Sequence, residues 1–168
     1  MKVKKKVISL QKDTLIEVKL LALEFEQIIN LGSKKKRDSI FMDYSKENLS
    51  ELYIKRKNRK YAGLTVELYA IVEQFLKDLY SIFNDGKEYE KDSRNINTIL
   101  DLEGKIKGYV KFDNHTKQLC DLRNVIVHHA FSFKQAKKRV IKDKVKSKKL
   151  FLSLLENVEK YLLSMNEH

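Results

Sequence analysis

The sequence has no proline, only five glycines and a single cysteine among its 168 residues. Turns and strand connections commonly depend on glycine and proline, so their scarcity argues against a β-rich fold and favours long helices. We therefore expect an all-α fold, with residues 1–168 forming a single-domain helical bundle of about five helices. Cys120 has no second cysteine with which to form an internal disulfide, so we expect a reducing, cytoplasmic location.

Long apolar runs and metal-binding patterns are also missing. No uninterrupted apolar segment approaches the roughly 20 residues that span a bilayer, and the basic residues 1–8 lack the apolar run of a signal peptide. The four histidines and the lone cysteine form neither a paired-cysteine pattern nor a His-Glu-x-x-His string. The scattered glycines form no phosphate-binding loop. We expect a soluble protein with no membrane contact, no metal and no cofactor.

What is abundant is positive charge. Lysine and arginine number 35 against 23 aspartates and glutamates, which gives a net charge of +12. This charge predicts a polyanionic partner, nucleic acid first and an acidic membrane surface second. The cations concentrate between residues 134 and 149, and we assign RNA binding to Lys137, Lys138, Arg139 and Lys142. Residues 131–149 fit a helix or a flexible arm or hairpin, and the cations fit either an RNA-binding surface or a merely solvated one.

Hydrophobic periodicity predicts where the helices lie. A first helix is expected from about Ser9 or Asp13 to Asn30, and Ser45 is suited to cap a short second helix. The further helices are expected at 58–83, 96–112, 115–129 and 150–165.

The helix expected at 115–129 carries the residues with the clearest chemistry. Successive residues turn by about 100°, so Leu122 and Ile126 fall on one apolar side, and Arg123, Asn124 and His128 fall on the other. Arginine can hold a phosphate through two parallel charge-assisted hydrogen bonds, and histidine can move a proton near neutral pH. A basic protein with this pair is a candidate to bind and cut RNA.

Two neighbours of this pair lead to further expectations. His129 falls in the middle of the apolar stripe, so we expect it to pack against the core or to end the helix. Val127 is apolar but shares the polar side with Arg123, which suggests that a second subunit covers this side. Cys120 is expected to be a buried structural thiol.

The segment from Arg123 to His128 resembles the signature of the HEPN superfamily (higher eukaryotes and prokaryotes nucleotide-binding domains). That signature is an arginine, commonly followed by a polar residue, with a histidine after four to six intervening positions. Residues 67–80 are similar to the long early helix of the family, which often carries an acidic residue that faces the motif. Glu73 is the best match for that residue, and Glu67 is the second.

The resemblance implies a metal-independent endoribonuclease of the toxin, phage-defence or RNA-processing type. Members commonly form homodimers, in which two copies of the motif build one composite site. By this resemblance Arg123 and His128 are the catalytic residues, Asn124 and Glu73 support them, and an antitoxin or another regulatory protein is a candidate partner. The branch paired with a nucleotidyltransferase antitoxin often has a tyrosine two positions after the motif histidine. This chain has Ala130 there, so control by modification of that tyrosine is not expected.

Two other functions compete with a ribonuclease. One is a non-catalytic HEPN-like module that binds RNA, a nucleotide or a partner protein. The other is a purely structural helical protein, in which Arg123 forms a surface ion pair and His128 has no chemical role.

Overall fold

The computed structural model describes residues 2–30, 45–91 and 97–167, and these ranges contain six helices. The expected all-α helical bundle is confirmed. The helices are α1 (Lys2–Asn30), α2 (Lys46–Phe83), α3 (Thr98–Ile106), α4 (Lys117–His128), α5 (Phe133–Val140) and α6 (Ser147–Leu163). A two-residue antiparallel ladder pairs β1 (Val110–Lys111) with β2 (Asn166–Glu167).

Helix α1 begins seven residues earlier than Ser9, the earlier of the two starts that we expected. Lysine is a good helix former, so the basic residues at the start of the chain extend the helix. Val7 is buried and holds these first turns against the core. Gln11 joins α1 to α6, because its Nε2 donates to the carbonyl oxygen of Leu162 at 2.7 Å.

Helix α2 is one continuous helix where we expected two. The capping prediction is confirmed, because the Ser45 hydroxyl accepts a hydrogen bond from the Asn48 N–H at 3.2 Å. Residues 46–62 contain neither glycine nor proline, and the lysines and arginines there favour a helix, so the helix continues through this segment without a break. Near the middle of α2, Lys60 Nζ donates to the Ile28 carbonyl oxygen at 3.2 Å and so satisfies an acceptor in the last turn of α1.

The hydrophobic core takes residues from all six helices. Its centre is a group of aromatic rings from four helices: Phe25 of α1, Tyr61 of α2, Phe133 of α5 and Phe151 of α6. The Phe25 and Phe151 ring centroids are 4.7 Å apart, and those of Tyr61 and Phe133 are 5.2 Å apart and stacked. Each such pair stabilises the fold by about 0.5–1.5 kcal/mol beyond the effect of the area that it buries. They bring α5 into the bundle.

The segment after α4 was expected to form a helix, a flexible arm or a hairpin, and residues Phe133–Val140 form helix α5. Phe133 and Ala136 are buried, and Ser132 caps the first turn by accepting the N–H of Gln135. Asn58 of α2 holds the same turn, because its Nδ2 donates to Ser132 Oγ at 3.0 Å. Its Oδ1 also accepts the N–H of Lys134 at 2.6 Å.

Candidate functional site

The candidate site is built on α4, which lies against α2 and α5. The expected core stripe is confirmed, because Leu119, Leu122 and Ile126 are buried. Cys120 is buried as well, and burial raises the pKa of its thiol, so it is suited to a structural position and not to nucleophilic attack. The buried stripe leaves the side of α4 with Asn124 and His128 turned away from the core.

Arg123 is half-buried and held by two side chains. Its guanidinium carbon lies 4.8 Å from the centre of the Tyr69 ring of α2, a cation–π contact, and Nη1 donates to Asn124 Oδ1 at 3.2 Å. The Nε atom is buried without a hydrogen-bond partner. Nη2 has no hydrogen bond to any residue in the described ranges, so this end of the guanidinium is available to an anion.

Tyr69 is a neutral ring beneath the cation. Burial first, and then the charge of Glu73, raise its pKa to about 12, while Arg123 and a hydrogen bond from Thr98 act in the opposite direction. The phenol therefore keeps its proton at neutral pH. Tyr69 lies 54 positions before Arg123, and no spacing rule would have identified it as the partner of the motif arginine.

Glu73 lies one turn after Tyr69 on α2 but does not bind Arg123. Its Oε1 accepts from Lys77 Nζ at 2.6 Å, an ion pair within α2. Among the described residues, Arg123 forms no ion pair with Glu73 or with any other carboxylate. The expected contact between Glu73 and Arg123 is therefore absent in this arrangement. The surface ion pair that the purely structural hypothesis assigns to Arg123 is also absent among the described residues.

The two adjacent histidines are in different surroundings. His128 is the last residue of α4, its side chain is exposed, and it has no hydrogen bond to the described residues. His129 ends the helix as expected, but it does not pack against the core, because the helical phase no longer applies beyond α4. Its Nε2 lies 2.7 Å from Nη1 of Arg139. Since a guanidinium only donates, Nε2 accepts here, which leaves His128 as the histidine with a free imidazole.

The backbone after α4 makes an uncommon turn. Ala130 and Phe131 both have left-handed conformations, with φ of 55° and 50°, and neither is glycine. Such residues cost about 1–2 kcal/mol each, and they persist where surrounding contacts hold them. The Phe131 N–H donates to the Ile126 carbonyl oxygen at 3.1 Å. Val127 is 44% exposed, as expected, and Phe131 is 43% exposed, so exposed apolar side chains precede and follow His128 in the chain.

The four cations assigned to RNA binding differ in exposure and in the contacts that their side chains make. Lys137 is half-buried, and its Nζ donates to the Val145 carbonyl oxygen at 2.8 Å, so it holds the chain between α5 and α6. Arg139 is exposed and contacts His129. Lys138 and Lys142 are exposed and unpaired within the described ranges. Three of the four therefore reach solvent.

A groove of about 430 Å³ lies next to the first half of α4. Its lining includes Lys117 and Asp121, which fall on the same side of the helix as Asn124 and His128. The 117, 121, 124, 128 spacing is a signal for this side in the sequence, because residues three and four apart lie on one side of a helix. The whole lining is Asn114, His115, Lys117, Gln118, Asp121, Val140 and Asn157.

Within the described ranges, no cluster of three His, Cys, Asp or Glu side chains could hold a metal ion. None of the helices there is both long enough and apolar enough to cross a membrane. No protein-family model matches this chain, and neither the curated proteins nor the solved structures give a significant match. The class of this protein is defined by its fold and site alone: it is an all-α helical bundle with an arginine–histidine pair on α4 and exposed cations on the neighbouring α5.

Proposed function

We propose that the protein is a metal-independent endoribonuclease that acts as a homodimer. The observation that carries the proposal is the pair on α4: Arg123, with one end of its guanidinium free of hydrogen bonds to the described residues, and His128, with an exposed imidazole. The resemblance of this segment to the HEPN signature supports the same reading, and it is the basis for placing the protein among toxin or phage-defence effectors with a regulatory partner. RNA as the substrate agrees with the net charge of +12.

The positions of Arg123 and His128 on α4 support the homodimer in this proposal. Arg123 and His128 are five residues apart, which separates them by about 140° around the helix and about 7.5 Å along it. Both side chains avoid the apolar stripe, but they point in different directions from it, so we expect one copy of the helix to supply only half of the site. A second copy packed on the exposed Val127 and Phe131 would bring its own Arg123 and His128 to the first pair.

The reaction is attack of an RNA 2′-hydroxyl on the adjacent phosphorus. The 2′-oxygen–phosphorus bond forms, the bond from phosphorus to the 5′-oxygen breaks, and the products are a 2′,3′-cyclic phosphate and a 5′-hydroxyl. One His128 accepts the 2′-hydroxyl proton, and the His128 of the second copy gives a proton to the leaving oxygen. Arg123 holds the phosphate and stabilises the negative charge that develops there.

The test is cleavage of single-stranded and structured RNA in EDTA. We expect His128→Ala and Arg123→Ala to lose about 100-fold or more of the rate. His129→Ala is the matched control, because this neighbouring histidine is already bound to Arg139, and we expect less than a tenfold change. All variants are purified in parallel, so that a contaminating nuclease would affect them alike.

A non-catalytic RNA-binding module is the second candidate, and one observation favours it. Arg123 is stacked on Tyr69, bound to Asn124 and partly buried, as expected for an arginine that also holds α4 in place. This function predicts salt-sensitive RNA binding by a wild-type protein that leaves RNA intact. If RNA stays intact, or if His128→Ala cuts as fast as wild type, the ribonuclease assignment is wrong.

A further inference from the structure

Two stretches of the chain contain cations but no carboxylates. Residues 52–66 hold five lysines and arginines, and residues 122–142 hold six, with no aspartate or glutamate in either. Since 23 of the 168 residues are acidic, a stretch of 21 residues would be expected to hold about three. Each of these stretches is therefore strongly basic, as are residues 1–12, which hold five lysines and no carboxylate.

The fold joins these two stretches. Asn58 lies in the first, and its side chain bonds to Ser132 Oγ at 3.0 Å and to the Lys134 N–H at 2.6 Å, both in the second. Three residues later on α2, the Tyr61 ring stacks on Phe133 of α5 at 5.2 Å. The two carboxylate-free stretches are thus in direct contact where α2 crosses α5.

Several cations at this crossing are exposed. On α2, Lys55 and Arg59 lie about 40° apart on one side of Asn58, and Lys57 lies about 100° from Asn58 on its other side, so these cations flank the crossing. On α5, Lys134 lies at the crossing, and Lys138 follows one turn later on the same side. We call these five residues the basic ridge. Lys60 and Lys137 are excluded from it because they donate to backbone carbonyl oxygens.

The ridge leads to the end of α4. Arg139, next to Lys138 on α5, contacts His129 at 2.7 Å, and His129 follows His128 directly. A polyanion bound along the ridge would therefore continue towards the exposed imidazole of His128.

We propose that the basic ridge binds the phosphate backbone of single-stranded RNA and directs it to the end of α4. The ligand, RNA, rests on the proposed function, but the binding does not require cleavage. An acidic membrane is the less suitable partner. Leu52, Tyr53 and Ile54 are exposed beside the ridge, but as consecutive residues they point about 100° apart and form no single apolar face that could enter a bilayer.

The experiment compares two triple variants with equal charge. The ridge variant is Lys55→Gln/Lys57→Gln/Arg59→Gln, in a His128→Ala background that keeps the RNA intact. Binding of a fluorescent single-stranded RNA is followed by anisotropy between about 50 and 200 mM salt. Since each phosphate contact contributes about 0.7 to the salt slope, we expect the slope to fall by about 2 and the affinity at low salt to fall about tenfold.

The control variant is Lys2→Gln/Lys5→Gln/Lys6→Gln on α1. These residues are exposed, and Lys6 lies 22 residues before Ile28, about 33 Å along the helix from the point where α1 meets Lys60. Both triple variants carry a net charge of +9, three less than +12. Circular dichroism checks that both stay helical, and we expect less than a threefold change in affinity for the control.

The outcomes separate the ridge from the ribonuclease. Equal weakening by both triples, no measurable RNA binding, or tighter binding to vesicles of acidic lipid than to RNA would each overturn the ridge proposal. If the ridge variant alone loses binding while wild-type protein cuts no RNA, the ridge stands and the ribonuclease assignment falls. If wild-type protein cuts RNA and the ridge variant binds normally, the ribonuclease assignment stands and the ridge proposal is wrong.

Discussion

The hydrogen bond between Tyr161 and Glu103 is the contact whose removal has the most readily predicted cost. Tyr161 is fully buried in α6, and its hydroxyl donates to Glu103 Oε1 of α3 at 2.5 Å. Its ring stacks on Phe112 with centroids 4.5 Å apart, so Tyr161→Phe keeps the ring contact and removes only the hydroxyl. A hydrogen bond to a charged group is worth about 1.5–3 kcal/mol. At about 2–4 °C per kcal/mol for a chain of this size, Tm should fall by about 3–12 °C at neutral pH.

The pH dependence gives this prediction a second test. Burial raises the pKa of Glu103, and the bond from Tyr161 lowers it, with burial the larger effect. Because the folded pKa exceeds the unfolded one, the stability linked to this proton is fully present below the unfolded pKa and is lost as pH rises through the folded pKa. Tyr161→Phe removes the lowering contact, so its cost should be largest when Glu103 is ionised and should shrink as pH falls. Glu103→Gln should remove this part of the pH dependence.

Urea unfolding followed by circular dichroism from about pH 4 to pH 8 measures these free energies. Tyr109→Phe is the matched control, since the Tyr109 side chain is 46% exposed and its hydroxyl has no partner in the described ranges, and we expect a change within about 0.5 kcal/mol. The reasoning is refuted if Tyr161→Phe is as stable as wild type at neutral pH, or if its cost grows as pH falls.

Two further substitutions test the backbone and the contacts that place the candidate site. Ala130→Gly should raise the free energy of unfolding by about 0.5–1 kcal/mol, because glycine accepts a φ of 55° without strain, whereas Ala136→Gly in the interior of α5 should lower it by about 1 kcal/mol or more. Thermal unfolding of both would disprove the strain argument if Ala130→Gly were the less stable variant. Asn58→Ala should cost about 1–2 kcal/mol through the two bonds that hold the start of α5. Asn48→Ala, the same change at an exposed position of α2, should stay within about 0.5 kcal/mol, and equal losses would show that the Asn58 bonds contribute nothing.

Features that depend on neighbouring residues in the chain could be predicted from the sequence. The scarcity of glycine and proline predicted the all-α class, and the three- and four-residue spacing of Leu119, Leu122 and Ile126 predicted the buried side of α4. The Ser45 cap and the exposure of Val127 were predicted in the same way. Helical phase and capping are properties of a few consecutive residues, so a sequence contains enough information to derive them.

Only the tertiary structure decided which residues meet. Arg123 lies on Tyr69, Glu73 pairs with Lys77, and His129 contacts Arg139 instead of the core. The two carboxylate-free stretches are far apart in the chain, and the side chain of Asn58 brings them into contact. Helical periodicity states which side of a helix is apolar, but not which helix covers it or at what angle. The partners across α2, α4 and α5 therefore follow from the packing of whole helices, which no local pattern specifies.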